Sequence, residues 1–311
     1  MVNLQATRLT VAIALGLLLA DAFPVRAQTK QAKPVTVARG WPLERDGMIR
    51  LHNYNGSVTV EGWDRDSVHI AATIHGSVPL FGGGSRRAIK TGLETGDANT
   101  SIPADLVVWL PRQAKLSVRG AMTVIEVRAF AGTIDASSLS GRIAISGSPA
   151  EVTAETMDGS VTVSASPSFL RARTATGALT WSGQSDDVTL STVGGEIVVN
   201  RAVVRRARIE TVTGAIGFDG TVQSSGMVSL ESHSGDVSVT LDRATSAVVS
   251  AASPAVFFGR PGSPPTPAGK DASTRPVSAT FSGGTGKGAA SQELAQVSVR
   301  SFKGRVTVTQ R

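Results

Sequence analysis

Four arginines form the densest group of side chains in this sequence that could bind a ligand. Arg201, Arg205, Arg206 and Arg208 fall in one short stretch. Guanidinium groups pair well with carboxylate and phosphate oxygens, so the group predicts contact with an acidic glycan or a lipid head group. A solvated corner of the fold explains the same arginines without any ligand, and at this point both interpretations stay open.

Few residues in the sequence have the type and spacing that bind a metal or a cofactor. The chain has no cysteine, so thiolate metal sites and disulfides are excluded. The segment GGTGKG at 283–288 has Gly288 where a phosphate-binding loop needs Ser or Thr. No two histidines have metal-ligand spacing on one recognisable element: His52, His69, His75 and His233. We therefore expect no metal and no cofactor.

Catalysis is the main rival to a binding role. No Gly-x-Ser-x-Gly motif is present, which argues against a serine hydrolase of that type. A polysaccharide lyase or hydrolase built on a β-helix could use outward residues such as Glu155 and Arg171. The outward charges alternate in sign, however, and pairing of Glu155 with Arg173 across neighbouring strands explains them more simply. We expect a non-catalytic binding or scaffolding protein with no catalytic residues; a polysaccharide-active enzyme and a self-assembling scaffold are the alternatives.

The elements that carry these side chains repeat along the chain. Corner glycines recur every 18 residues and then after 19 and 21: Gly141, Gly159, Gly177, Gly195, Gly214 and Gly235. Apolar residues occupy the second and fourth positions after each glycine and the seventh and fifth positions before it. Alternation of this kind places one set of side chains inside and the other outside a β-strand. Each repeat therefore predicts two strands joined at a glycine.

Equal spacing over many repeats predicts how the strands assemble. Fixed-period similarity is typical of repeat architectures, in which equivalent residues of successive repeats stack about 4.8 Å apart. The sequence predicts an all-β fold, a parallel β-solenoid or β-helix-like repeat stack with about 18 residues per turn and an N-terminal strand cap. A β-prism is the close alternative. The chain lacks a convincing helical stripe beyond its first residues.

Two residue types mark the corner of each repeat. Glycine permits a positive φ or a close backbone approach that a Cβ would prevent. A hydroxyl stands three residues before each glycine: Ser138, Thr156, Thr174, Thr192, Thr211 and Ser232. Stacked hydroxyls can satisfy the backbone groups of the corner. A threonine face can also bind regular lattices such as ice or crystalline polysaccharide, but a column one residue wide favours the structural role.

Domain boundaries follow from composition. Residues 1–27 have a basic start, an apolar stretch and a small-residue cleavage site, which predicts a secretory signal peptide. Residues 28–40 are expected to be a linker and 41–311 one β-repeat domain, because its glycine register recurs near both ends. Within it, the Pro- and Gly-rich segment 253–291 is expected to be a loop excursion with a short strand at PVSATF.

The predicted export signal limits the partners. Without Arg8, Arg26 and Asp21 the chain has 29 basic and 23 acidic residues, a net charge of +6. This modest excess suits an acidic surface, but export argues against nucleic acid. We expect a periplasmic, cell-surface or secreted protein without a transmembrane segment after signal removal. Envelope polysaccharide, another envelope protein or a second copy of the chain are the expected partners.

A resemblance to a known family rests on the stretch LHNYNGSVTVEGWDRDSVHI, the later LVVWLPRQAKLSV and the serial SG-x-I/V-x-I/V units. Its most specific piece is Gly56, Val58 and Val60 leading into Gly62-Trp63-Asp64. These features resemble the bacterial adhesin-like family of β-strand-repeat envelope proteins, a domain of unknown function. The resemblance covers nearly all of 41–311. It implies an exported, elongated β domain with an adhesion or scaffold role, and it supplies no catalytic residues.

The assigned faces of the strands can be tested by two substitutions. Ile197→Asp places an unpaired charge on the predicted inner face and is expected to lower the free energy of unfolding by several kcal/mol. Thr189→Asp, on the predicted outer face, is expected to be nearly neutral. Urea denaturation of both variants measures the difference, and equal effects would contradict the assignment.

Overall fold

The structure is a computed structural model that describes residues 33–93, 102–260, 264–268, 275–283 and 293–311. The predicted signal peptide, residues 1–27, lies outside the described residues, as do 28–32 of the predicted linker. Of the glycine-rich segment 283–288, only Gly283 is described. Regular structure in the described ranges is entirely β-strand, and no helix there is long and apolar enough to span a membrane.

The described strands form one large sheet. In chain order they are β1 (Val35–Pro42), β2 (Met48–Trp63), β3 (Ser67–Ile74), β4 (Leu80–Ser85), β5 (Ala88–Leu93), β6 (Pro103–Pro111), β7 (Lys115–Phe130), β8 (Thr133–Ser138), β9 (Ile143–Gly147), β10 (Glu151–Thr156), β11 (Val161–Ala165), β12 (Phe169–Arg173), β13 (Leu179–Ser182), β14 (Gln184–Ser191), β15 (Ile197–Thr211), β16 (Ile216–Ser232), β17 (Val237–Leu241), β18 (Ala247–Ala252), β19 (Ala255–Gly259), β20 (Thr266–Pro267), β21 (Val277–Phe281), β22 (Ala295–Ser301) and β23 (Arg305–Gln310).

The repeats pair through two parallel ladders. The first ladder joins the strands that precede each corner glycine, so that Val152 of β10 lies opposite Leu170 of β12. The second ladder joins the strands that follow the glycine, and there Val161, Leu179 and Ile197 are successive neighbours. Residues 18 apart in the sequence are thus adjacent in space, as the spacing predicts.

Both ladders turn their apolar columns towards a common core. The four apolar positions of every repeat from Gly141 to Gly235 are at most 6% exposed. Trp181 and Phe218 are among the largest of these buried side chains. Full burial of such a side chain contributes about 1.5–3 kcal/mol. The inward assignments are confirmed, and the intervening side chains face outwards.

The corner glycines are required by close backbone approach. A Cβ built on Gly177 would overlap the carbonyl oxygen of Gly159, at a separation far below the 3.0 Å that real Cβ atoms keep. The same overlap recurs between Gly195 and Gly177 and at the other corners. These glycines do not have the positive φ found at Gly56 or Gly147. Of the two reasons predicted for glycine, the structure therefore supports close approach.

Each corner hydroxyl connects two successive repeats. Thr174 Oγ1 accepts a hydrogen bond from the Gly177 amide at 3.1 Å. The same hydroxyl lies 3.1 and 3.0 Å from the carbonyl oxygens of Met157 and Gly159 in the preceding repeat, to which it donates. Equivalent bonds occur at Thr156 and Thr192. Burial of the hydroxyls supports their predicted structural role, because a buried hydroxyl cannot meet an external lattice.

Antiparallel strands flank the N-terminal end of the ladders. β6 pairs in parallel with β2, β3 pairs antiparallel with β6, and β1 pairs antiparallel with β3. On the first ladder, β5 pairs with β2 and carries β4 antiparallel on its other side. These strands extend the sheet at the N-terminal end of the ladders.

At the C-terminal end the chain order and the spatial order differ. β22 lies between β16 and β18, and β23 lies between β17 and β19. The last repeat in the sequence, formed by β22 and β23, therefore lies in space between the repeat of β16 and β17 and the repeat of β18 and β19. Segment 253–291, expected to be a loop excursion, contributes β19 to the second ladder and places β20 and β21 antiparallel at the edges. The short strand predicted at PVSATF is β21.

The glycine corner makes a sharp prediction about stability. Gly177→Ala is expected to lower the free energy of unfolding by about 3 kcal/mol or more, because the two backbones must separate. Gly194→Ala is the matched control, since its Cβ would meet nothing nearer than Thr213 Oγ1 at 3.8 Å. The control should stay within about 0.5 kcal/mol of the parent protein. Urea denaturation measures both, and similar losses would contradict the role of close approach.

Candidate functional site

The four arginines singled out by the sequence lie on β15 and are exposed. Arg206 Nη2 lies 3.1 Å from Asp187 Oδ2, and Arg205 Nε lies 3.7 Å from Asp186 Oδ1. Both aspartates belong to β14, where Asp187 and Arg206 are paired in the ladder. Two of the four guanidinium groups are therefore engaged by the neighbouring strand.

The other two arginines differ from each other. Arg208 Nε donates to Glu210 Oε1 at 2.6 Å, and this hydrogen bond raises the pKa of Arg208 above its ordinary value. Arg201 has a positive φ of 48° and, among the described residues, no carboxylate within ion-pair distance. The group is largely neutralised by its own neighbours, and ligand contact by these arginines stays a prediction.

The residues proposed for a catalytic face are spread along the first ladder. Glu155 and Arg173 are neighbours in the pairing of β10 and β12, but they do not come within ion-pair distance. Arg171 lies between Thr153 and Thr189 on adjacent strands. Glu155 and Arg173 are adjacent as predicted, but the predicted ion pair between them is wrong.

The histidines occupy four separate environments. His69 packs beside Trp109, with ring centroids 5.7 Å apart, and His233 packs beside Phe302 at 5.4 Å. His75 Nε2 lies 3.5 Å from Asp105 Oδ2. Burial and nearby cations lower the pKa of His52. Within the described ranges, no group of three His, Asp or Glu side chains could hold a metal ion.

An exposed apolar column runs along the glycine corner and was missed by sequence reasoning. We call it the corner column; its members each follow a corner hydroxyl: Leu139, Met157, Ala175, Val193 and Val212. The four larger side chains are 45–55% exposed. The backbone amide of each member from Met157 to Val212 donates to the carbonyl of the previous member, at 2.9–3.2 Å. The side chains consequently stack at the inter-strand spacing of about 4.8 Å.

A shallow groove lies between the corner column and a column of charged residues on the first ladder. One part, of about 530 Å³, is lined by Glu155, Met157, Arg173 and Val193. The next part, of about 490 Å³, is lined by Glu210, Val212, Glu231 and residues near them. The buried threonine hydroxyls lie beneath both parts. We call these two parts together the corner groove.

The corner groove combines two kinds of contact. Its apolar wall offers partly exposed aliphatic side chains, and its polar wall offers carboxylates, a guanidinium and the Ser191 hydroxyl at successive repeats. Binding sites are commonly apolar surfaces with a few polar groups that fix the orientation of a ligand. A regular spacing along the groove suits a ligand that is itself extended. The groove is the candidate functional site.

Comparison with known proteins finds structural neighbours of low similarity. No family model and no curated protein sequence matches the chain. A candidate adhesin from Bacteroides fragilis is 9% identical, covering 89% of this chain and 97% of its own, with a TM-score of 0.37. A candidate lipid-binding protein from Parabacteroides distasonis is 10% identical over 89% and 96%, with a TM-score of 0.37.

A candidate cell adhesion protein from Clostridium sporogenes is 8% identical to the chain. The match covers 90% of this chain and 100% of the other, with a TM-score of 0.24. Likeness at this level does not assign a family or a ligand. The function of this chain has to rest on its own residues.

Exposure of the corner column predicts that it contributes little to stability. Met157→Ser and Val193→Ser are each expected to change the free energy of unfolding by no more than about 0.5 kcal/mol, because the side chains lie outside the core and outside the strands. Thermal and urea denaturation of the two variants tests this. A loss of 2 kcal/mol or more, on the order of a core truncation, would show that the column is structural.

Proposed function

We propose that the protein is a non-catalytic, adhesin-like binding module of the bacterial cell envelope that holds an extended polysaccharide along the corner groove. The observation that carries the proposal is the repetition of one apolar and one polar contact at each successive repeat of the groove. A pyranose ring has an apolar C–H face and a rim of hydroxyls. The corner column can pack against the apolar face of the ring. The carboxylates and guanidinium of the polar wall can form hydrogen bonds with the hydroxyls.

The proposal includes the architecture predicted from the spacing, a parallel β-solenoid. Its support is the ladder register, in which residues 18 apart are neighbours on both sides of the glycine corner. In such a solenoid the corner groove runs along the axis of the repeats. A polysaccharide, whose units also repeat at constant intervals, can then make the same contacts several times, and weak contacts add up.

A non-catalytic role is supported by the electrostatics of the polar wall. Glycosidases need two carboxyl groups that flank the scissile bond, one of them held protonated as the general acid. Glu210 and Glu231 are neighbours in the ladder. Glu210 already accepts a hydrogen bond from Arg208 Nε, so this carboxylate acts as an acceptor on the polar wall. Carboxylate acceptors of this kind suit hydrogen bonding to the hydroxyls of a sugar.

Export to the envelope is part of the same proposal and is supported by the signal peptide predicted at 1–27. In the envelope the protein would meet its proposed ligand, since polysaccharides are abundant there.

A retention assay tests the proposed function. The mature protein is applied to immobilised envelope polysaccharides and to peptidoglycan, together with the double variant Met157→Ser/Val193→Ser. We expect the parent protein to be retained on at least one polysaccharide and the double variant to bind at least tenfold more weakly. Met227→Ser is the matched control, because Met227 is also exposed but lies away from the groove on β16.

The outcomes separate the proposal from its rivals. Equal retention of the parent, the double variant and Met227→Ser would contradict binding along the corner groove, and no retention on any polysaccharide would contradict the function itself. Release of reducing or unsaturated sugar would favour the enzyme. Light scattering that shows concentration-dependent polymers without polysaccharide would favour a self-assembling scaffold.

A further inference from the structure

A second cavity, separate from the corner groove, lies at the opposite end of the second-ladder strands. β2, β6 and β7 end around it, at Trp63, Pro111 and Phe130. Its volume is about 340 Å³, and its lining includes Trp63, Arg65 and Arg112. We call it the Trp63 cavity. Sequence reasoning found no aromatic platform, because Trp181 and Phe218 are buried, but Trp63 is only half-buried.

The indole of Trp63 is held in place by the backbone around it. Its Nε1 donates to the carbonyl oxygen of Ser67 at 2.8 Å. The preceding residue is Gly62, where a Cβ would overlap the carbonyl oxygen of Ala129, so the chain can pass close to β7 only with glycine there. The aromatic ring thus lines the cavity in a defined orientation.

Two of the three arginines that line the cavity are bound to carboxylates. Arg112 Nε donates to Asp64 Oδ1 at 2.9 Å, and its Nη1 lies 3.3 Å from the Ala129 carbonyl oxygen. Arg45 Nε donates to Asp66 Oδ1 at 2.9 Å. These pairs neutralise one another and fix polar groups around the rim.

The third arginine, Arg65, is placed differently. Its guanidinium carbon lies 5.0 Å from the centroid of the Trp63 ring, within the range of a cation–π contact. Among the described residues no carboxylate lies within ion-pair distance of Arg65. The cavity therefore holds an indole ring with a guanidinium over one of its faces, and this cation has no carboxylate partner among the described residues.

We propose that the Trp63 cavity binds a carboxylated sugar of the uronic-acid class. The apolar face of the pyranose ring lies on the indole, and the sugar carboxylate pairs with the guanidinium of Arg65, which recognises carboxylate in a bidentate manner. Asp64 and Asp66, which also line the cavity, can accept hydrogen bonds from ring hydroxyls, and Gln113 can accept or donate them. Arg65 is exposed, so it can leave the indole face as the sugar enters.

The inference does not depend on the corner groove. A neutral sugar could use the indole and the rim but would leave Arg65 unpaired, so the proposed specificity resides in a single charge. Arg65 and Trp63 therefore have distinct roles, recognition of the carboxylate and stacking on the ring, and each can be removed separately.

Titration with two matched sugars tests this site. Methyl β-D-glucuronide and methyl β-D-glucoside are titrated into the mature protein and into each variant, with affinities measured by isothermal titration calorimetry, and the indole N–H resonances are followed by NMR wherever Trp63 is retained. We expect the glucuronide to shift the Trp63 resonance and to bind at least tenfold more tightly than the glucoside. Arg65→Gln should reduce glucuronide binding to the level of the glucoside, and Trp63→Ala should weaken both sugars.

Control variants keep the test independent of folding. Arg142→Gln removes an exposed arginine elsewhere, Trp109→Phe alters a second half-buried tryptophan, and Trp63→Phe retains an aromatic ring should Trp63→Ala not fold. All three should leave the preference for the glucuronide intact. Equal binding of the two sugars, unchanged glucuronide binding by Arg65→Gln, or competition by acetate alone would overturn the proposal. If Met157→Ser/Val193→Ser binds polysaccharide as well as the parent protein, the corner groove proposal fails, but the result of this titration is unaffected.

Discussion

The close approach of successive backbones at the glycine corners is the constraint on which the rest of the structure depends. At each corner from Gly159 to Gly235 the Cβ position of one glycine is occupied by the carbonyl oxygen of the previous one, as between Gly177 and Gly159. Only this approach lets the strands on both sides of the corner pair at their normal spacing. The buried threonine hydroxyl then satisfies the glycine amide and joins the two repeats, as at Thr174.

The core and the candidate sites are consequences of that pairing. Once the repeats are in register, Val161, Leu179 and Ile197 become neighbours in one apolar column. The residues that follow the hydroxyls necessarily align outside the corner, which creates the exposed column represented by Met157 and Val193. A chain whose packing repeats thus also presents a repeated surface.

Much of the fold could be predicted from the sequence because alternation identifies faces and constant spacing identifies neighbours. Neither signal states the order in which equivalent repeats are placed. Val297 and Val306 fit the same columns as any other repeat, so their insertion ahead of β18 and β19 was not predictable from the pattern. The reason for glycine at the corners also required coordinates. Glycine is needed both for a close backbone approach and for a positive φ, so the sequence does not distinguish the two.

The candidate sites were harder to find for a different reason. Charge density drew attention to Arg205 and Arg206, whose aspartate partners on β14 became apparent only in the ladder. The corner column is visible in the sequence as an apolar residue after most corner hydroxyls, a signal that becomes meaningful once outward and inward positions are assigned. Trp63 and Arg65 of the Trp63 cavity are close in the sequence, but Arg45 and Arg112 come from separate segments, and the cavity that they complete became apparent only in the structure.

Hydrogen exchange at the corner glycines tests the central claim most directly. The amides of Gly159, Gly177, Gly195 and Gly214 each donate to a buried hydroxyl in the structure. We predict that these amides exchange as slowly as the core amide of Val161, because they open only when the repeats separate. Exchange as fast as that of an exposed loop amide would show that the corners are not closed and would contradict the account.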